Sequence, residues 1–499
     1  METTVNDDLY TIADLESYID HAQEFALRFG LKSEGIEFLY CTAKHLQEYK
    51  GYWGMPRQYP SWRWGKAIEL DRTLERHGIG NSYIYEMIAM MNPMRALLRR
   101  ENSKMATLLV ILHCFGHEDF ARSNTYWEVM GIDGVRRRLR YADERVRAIR
   151  EEKGIEYVNR VLDAAVALAP QGRRNFLLRD MYKARSDKKD ERLKPNNKNP
   201  VEDLDRFILT LTDLEDEERE LIQIAMDQDL YFTPIGQCQM LNEGWASTVQ
   251  HFGLRDFSEH EIIGFNDFTK SMQLHNNVVK PHLGGGLNPY HIGFQLYRAM
   301  RIWYDGSINL SLLHDESERR FFEAMKADYR ENENTPEDTG KLTGKEKMFE
   351  IRAGDRDTTA LRKYLTYPML KEMRVFDFIG SLDGETLQVI KQVNPENWLE
   401  ARNLLLSLAG ENRVPDVRVV DDNYRGKKII LLKHYPLDQR ELLVSEAGPT
   451  ARHFAQLSKR LTVLEAQVEG EVYHMIAYPN KDRVVTKRQI DCYSSDYEE

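Results

Sequence analysis

Cysteine is scarce. The 499 residues hold four, at positions 41, 114, 238 and 492, and no two form a CxxC pair. That excludes a disulfide scaffold and fits a reducing interior rather than an export compartment. Long apolar runs are lacking as well. The closest, Met105–Phe115, falls short of the ~18 residues of a spanning helix and carries His113, so no membrane span is expected. The first residues, METTVNDDLYTIADLESY, are acidic and polar and have no signal-peptide layout. No long basic block offsets the formal charge of −11, from 69 Lys+Arg against 80 Asp+Glu. Binding to nucleic-acid backbones needs clustered cations, so that class is disfavoured. A cytoplasmic protein of more than one domain is the expectation.

Amphipathic helical patterns dominate the first 370 or so residues. Leu15, Tyr18, Ile19, Ala22, Phe25, Ala26 and Phe29 mark one helical face over Asp14–Phe29. Similar spacing predicts helices over Trp64–Arg76, Tyr83–Met90, Ser103–Arg122, Tyr157–Leu168, Leu204–Met226, Asn242–Phe252, Ile292–Tyr304 and Glu316–Arg330. The charged, apolar-poor stretches 183–201 and 330–347 read as a solvated loop and a linker. After Phe376 the period changes. Strand-like runs at 387–393, 417–420, 429–432, 464–468 and 472–477 alternate with helices over 395–408 and about 450–461. That order predicts a small split-βαβ (ferredoxin-like) module. The fold class expected is α+β: a mainly helical domain over 1–375 and an α/β domain over 376–499.

Four segments carry candidate chemistry. His113-Cys-Phe-Gly-His117 puts two imidazoles one helical turn apart on one face, the spacing by which a helix offers both to one metal ion. Fourteen histidines in this length make about 0.4 such pairs by chance, and a buried pair is equally served by a carboxylate or backbone acceptors. Leu241-Asn-Glu-Gly-Trp-Ala-Ser247 offers Glu243 as the carboxylate that commonly completes a histidine pair. Its plainer reading is a residue near a helix N-terminus capped by Asn242. The segment 274–293 combines His275, three consecutive glycines and Asn288-Pro289-Tyr290 in a tight loop before a helix. Such a loop approaches a ligand or is purely structural. Between Gly51 and Lys66, five aromatics, Trp62 among them, interleave with Arg57, Arg63 and Lys66. They stack on a planar ligand or pin a loop to the core.

Together these segments resemble the stage V sporulation protein R (SpoVR) family. The resemblance is carried by Tyr59-Pro60, Trp62 and Gly65-Lys66, by Tyr85-Glu86 running into Asn92-Pro93, and by Glu101-Asn102. It continues with His113, Gly116 and His117, with Asn242 to Ala246, with Asn277 to Val279, and with Asn288-Pro289-Tyr290 and Gly293. A weaker likeness extends to Pro436-Leu437-Asp438, so nearly the whole chain is covered. The family's association with spore-cortex formation and stress physiology enters as what the resemblance implies. The two central blocks also look like the metal core of some zincin peptidases, in which a glutamate from a second helix is the third ligand. By that likeness His113, His117 and Glu243 hold Zn²⁺ or another divalent ion, and the activity implied is hydrolysis of an amide or peptide bond in a small-molecule or peptide substrate. Glu86 and Glu101 are the candidate catalytic bases, and Trp62, Lys66, His275, Asn288 and Tyr290 the candidate substrate contacts. The chain departs from the pattern twice. Cys114 stands where a zincin has its base glutamate, and Gln250 stands where the family has a histidine, with His251 one residue on. A non-enzymatic regulatory or scaffold protein, with a structural metal site and a partner-binding C-terminal domain, is the alternative.

Overall fold

Helix α1 (Ile12–Phe29) buries the expected face through Leu15, Tyr18, Ala22, Phe25 and Ala26. The structure is a computed structural model describing residues 12–42, 44–46, 86–173, 195, 200–283, 286–331, 335–377, 398–436, 441–442, 444–468, 470–481 and 483–497. By contacts these residues gather into two units. One runs up to Arg137 and resumes at Ile235–Gly410; the other takes Arg138–Pro234 and Glu411 onward.

The first unit is built on α2 (Lys104–Ser123), buried on every side from Met105 to Ala121 and started by Ser103, whose hydroxyl accepts from the Ala106 amide. Against it lies α3 (Gln239–Glu259), which also packs on α5 (Pro289–Ile308), while α4 (Phe265–Val278) packs on α2 and α3. Helices α6 (Glu316–Glu331) and α7 (Gly344–Gly354) pack on α5. Asp357, 1% exposed, accepts from the Met240 and Leu241 amides at 2.9 and 3.0 Å and so caps the start of α3 from over a hundred residues away. Asn288 caps α5, with Pro289 in the first turn.

A small sheet corrects the all-helical expectation for this region. Strand β1 (Ile36–Cys41) pairs parallel with β3 (Met94–Arg99), which pairs antiparallel with β2 (Glu86–Ala89). The helix predicted over Tyr83–Met90 is thus a strand where it is described. Its apolar spacing fits either period over so few residues. Strands β4 (His282–Leu283) and β5 (Gly286–Leu287) form a short hairpin before α5. Inside the stretch read as a linker, Thr343 and Glu346 form a reciprocal capping box that starts α7. The helix expected over Leu204–Met226 is two, Leu204–Leu209 and Asp216–Gln237. The helix predicted over Trp64–Arg76, the strand at 387–393 and most of 183–201 lie outside the described residues.

The second unit holds a five-stranded sheet in the order β10-β9-β8-β7-β6, from β6 (Val417–Tyr424), β7 (Ile429–His434), β8 (Thr462–Val468), β9 (Glu471–Ala477) and β10 (Val484–Arg488). Only β7 and β8 run parallel, joined through α8 (Val444–Ser458). The crossover therefore links neighbouring strands. A split βαβ would leave a third strand between them, and none of the described strands lies there. Val420, Ile429, Leu431, Val463 and Ile476 form one core face with Tyr497. Helix α8 packs on helix Ile155–Leu168, and Phe454 stacks on Phe207 with ring centroids 6.3 Å apart. Helix Trp398–Leu408, read from the sequence with the C-terminal module, belongs to the first unit. No helix among the described residues is long and apolar enough to cross a membrane.

Candidate metal centre

Three glycines set how close the central helices come. A Cβ on Gly116 of α2 would sit 2.5 Å from the Cα of Ala246 on α3. One on Gly244 of α3 would collide with the backbone of Gly293 on α5, and one on Gly293 with the Met240 carbonyl. Backbones that touch at these points bring the His113–His117 face of α2 against the Glu243 face of α3.

The result is a cluster of three donors whose ligand atoms all lie within 4.8 Å of one another. Glu243 Oε2 is 3.4 Å from His113 Nε2 and 3.5 Å from His117 Nε2. Donor atoms bound at about 2.0–2.1 Å to a tetrahedral ion stand about 3.3 Å apart, so the spacing fits a zinc-sized cation. Both histidine side chains are buried, whereas that of Glu243 keeps 18% of its surface exposed.

The other ring nitrogens are held by amides. His113 Nδ1 donates to Gln250 Oε1 at 3.0 Å and His117 Nδ1 to Asn242 Oδ1 at 2.9 Å. An amide oxygen only accepts, so each Nδ1 carries a hydrogen and each Nε2 faces Glu243, as a lone pair in the neutral ring or as an N–H in the protonated one. Two neutral rings would converge with the carboxylate on a cation, whereas protonated rings would pair with it directly. Outer hydrogen bonds of this kind are what orient metal-bound imidazoles. Burial pushes the Glu243 carboxyl up, but His117 and His113 in their protonated form, with the Tyr290 hydroxyl, outweigh it and hold the group below its usual range. The Tyr290 ring lies nearly parallel to that of His113, at 5.8 Å and 25°.

The neighbouring acids of α2 are engaged elsewhere. Asp119 accepts from Trp245 Nε1 and Arg352 Nη1, both at 2.8 Å, and from the Lys32 amide at 2.7 Å. Glu118 takes Ser33, the Glu34 amide and Arg122. These bonds tie α2 to its surroundings and set its rotation, which fixes where the histidines point.

The other sequence-predicted residues divide. Tyr290 belongs to the centre. His275 is buried in the layer behind it, its Nδ1 accepting from Gln250 Nε2 at 2.8 Å. Asn288 is fully buried and serves the backbone, its oxygen capping Tyr290 N while its amide donates to the carbonyls of Val278 and Lys280. Glu101 is exposed and ion-paired with Arg99 at 3.2 Å. Glu86 opens β2 opposite Leu98; its side chain, like Trp62 and Lys66, lies outside the described residues. Cys114, where the zincin likeness leads one to expect a base, is fully buried. Asn242 is not the cap of α3, which starts three residues earlier, but the partner of His117. Neither amide's partner was predicted from the sequence. The available signal was that Asn242 and Gln250 flank Glu243 at −1 and +7, the latter two turns along the same face.

A family model described as SpoVR like protein matches residues 9–196 and 171–413. The chain is also similar to a protein of Escherichia coli (strain K12) named uncharacterized protein YcgB, 22% identical over 470 residues that cover 87% of this chain and 88% of that one. No solved structure matches.

Proposed function

We propose that this chain, which belongs to the SpoVR-like protein family, holds a divalent ion between His113, His117 and Glu243 and hydrolyses an amide or peptide bond there. The observation that carries the reading is the placing of Glu243 Oε2 at 3.4 and 3.5 Å from two imidazole nitrogens whose far sides are fixed by amides. Two imidazoles and one carboxylate suit zinc best among common divalent ions. When bound, such an ion polarises a carbonyl and lowers the pKa of water. The chain's own part is to hold and orient. Asn242 and Gln250 fix the imidazole tautomers, and the partly exposed edge at Glu243 is the side from which a substrate arrives. Tyr290, hydrogen-bonded to Glu243 and stacked along His113, is the donor placed to meet an oxyanion. The zincin likeness of the two ligand helices is part of this proposal, as are a small-molecule or peptide substrate related to cell wall and a cytoplasmic setting, the latter in keeping with four free cysteines.

One observation favours a second reading. Among the described residues no further carboxylate joins the cluster to act as a base, and Cys114 stands where the zincin likeness expects one. A centre without a proton acceptor is structural, and the protein would then be a regulator or scaffold whose C-terminal sheet meets a partner. The two readings separate in one assay. Zinc-loaded protein is offered peptides, acyl-amides and peptidoglycan fragments while amine release is followed. Turnover abolished by Glu243→Gln supports hydrolysis; a metal-loaded protein inert to the whole panel supports the scaffold.

A further inference from the structure

Behind the metal centre, on the far side of Gln250, lies a cavity of about 300 Å³ in the first unit, bounded by α3, α4, α5 and the start of α6. Its walls are unusually cationic for a chain of net charge −11. Arg255, Arg298 and Arg301 line it together with His251, His275 and His314. Two carboxylates line it as well, and both are committed. Glu318 pairs with Arg301 and accepts from the His314 amide, and Asp315 accepts from the Glu318 amide at the start of α6. Arg298 leans on the Gln295 oxygen at 3.3 Å and on Glu372 at 3.7 Å. Arg255 has no ion-pair or hydrogen-bond partner among the described residues.

A second, independent feature points into the same space. His275 is 1% exposed, and its Nδ1 accepts from Gln250, so its Nε2 carries the hydrogen. That buried N–H has no partner among the described residues, and neither has Nδ1 of His251 in the same cavity. Native proteins seldom leave a buried donor unsatisfied, and such groups are often explained by a ligand or water not yet in place. Burial, followed by the Arg255 charge for His251 and by His251 itself for His275, holds these imidazoles neutral, down to about 4 and about 3. The field in the cavity is therefore one that repels added protons and attracts anions.

We propose that this cavity is a binding site for a small molecule carrying an oxyanion group, a carboxylate or a phosphate, with Arg255 as the unpaired cation and His275 Nε2–H as the buried donor. The volume lies at the lower end of small-ligand sites, enough for a compact metabolite or the acidic end of a longer one. His275, Gln250 and His113 form one hydrogen-bonded chain, so an occupant touches the group that orients a candidate metal ligand. On the metal-centre reading, and only on it, the cavity is the recognition pocket for the charged end of the substrate.

Isothermal titration calorimetry on metal-free, chelator-dialysed protein tests the site apart from the metal centre. Inorganic phosphate and succinate are the two probes. Saturable binding of either is expected, and whichever binds tighter identifies the oxyanion. Arg255→Gln, on a wall of the cavity, is expected to weaken binding at least tenfold with an unchanged circular dichroism spectrum. His275→Phe should do the same if it folds, and Arg136→Gln, remote from the cavity, should bind as wild type. The proposal is overturned if neither probe binds the wild-type protein, or if Arg255→Gln binds both as tightly as wild type. Failure to bind zinc in a separate experiment would leave this outcome unaffected.

Discussion

Gln250 faces two imidazoles at once, accepting from His113 through Oε1 and donating to His275 through Nε2. The resemblance leads one to expect a histidine here, and this chain has instead an amide that supplies acceptor and donor together. Gln250→Leu is predicted to keep the fold but release the His113 tautomer, lowering zinc affinity about 10–100-fold. Gln250→Glu retains the acceptor toward His113 and should lose far less. A competition titration against a chromophoric chelator reads both. The three clustered residues were legible in the sequence, since a four-residue histidine spacing and a glutamate in a helical block are local signals. The partners of Asn242 and Gln250 were not, because His117 and His113 lie more than a hundred residues away and no periodicity records that.

At the level of helices, the centre depends on how closely α2, α3 and α5 approach. Gly116→Ala puts a methyl group 2.5 Å from the Ala246 backbone, so the helices must part. Overpacking of this kind costs about 1–3 kcal/mol. It should appear as a lower urea midpoint together with weakened metal binding, because Glu243 rides on the helix that moves. Gly236→Ala is the matched control. Its Cβ meets nothing within 4 Å, and an alanine inside a helix is neutral or stabilising by roughly 0.4–1 kcal/mol. An equal loss in both variants would detach the glycines from the site. In the sequence these glycines stand as motif letters without their cause. Nor does it disclose the small sheet, whose parallel pair joins β1 to a strand some sixty residues on, and whose third strand is only four residues long. The long helices were legible because burial of one face imposes a period over many turns. The capping of α3 by Asp357 shows the limit, since that carboxylate is nowhere near in sequence.

For the whole molecule, the two neutral imidazoles behind the centre link stability to pH. His251 and His275 are held at about 4 and about 3, against 6.5 ordinarily, by burial first, then by Arg255 for His251 and by His251 for His275. Unfolding restores the ordinary value, so below pH 6.5 the unfolded chain takes up protons that the folded one refuses. Their contribution is thus full above about pH 6.5 and is lost as pH falls toward 4 and 3, with a slope approaching about 1.4 kcal/mol per pH unit for each group. Denaturant melts of wild type and a His251→Phe/His275→Phe double variant between pH 7 and 4.5 check this. The wild type should lose stability more steeply, and parallel curves would refute the linkage. The match to the family model ends at residue 413, just before β6, so the C-terminal sheet is the part of the molecule for which the family reading says least. The measurement that tests the account most directly is elemental analysis of untagged protein beside His113→Ala and Glu243→Ala. About one zinc or other divalent ion per chain in the wild type, lost in both variants while the helical spectrum is retained, is the predicted result. A wild-type protein that takes up no divalent ion even when it is supplied would contradict the metal centre.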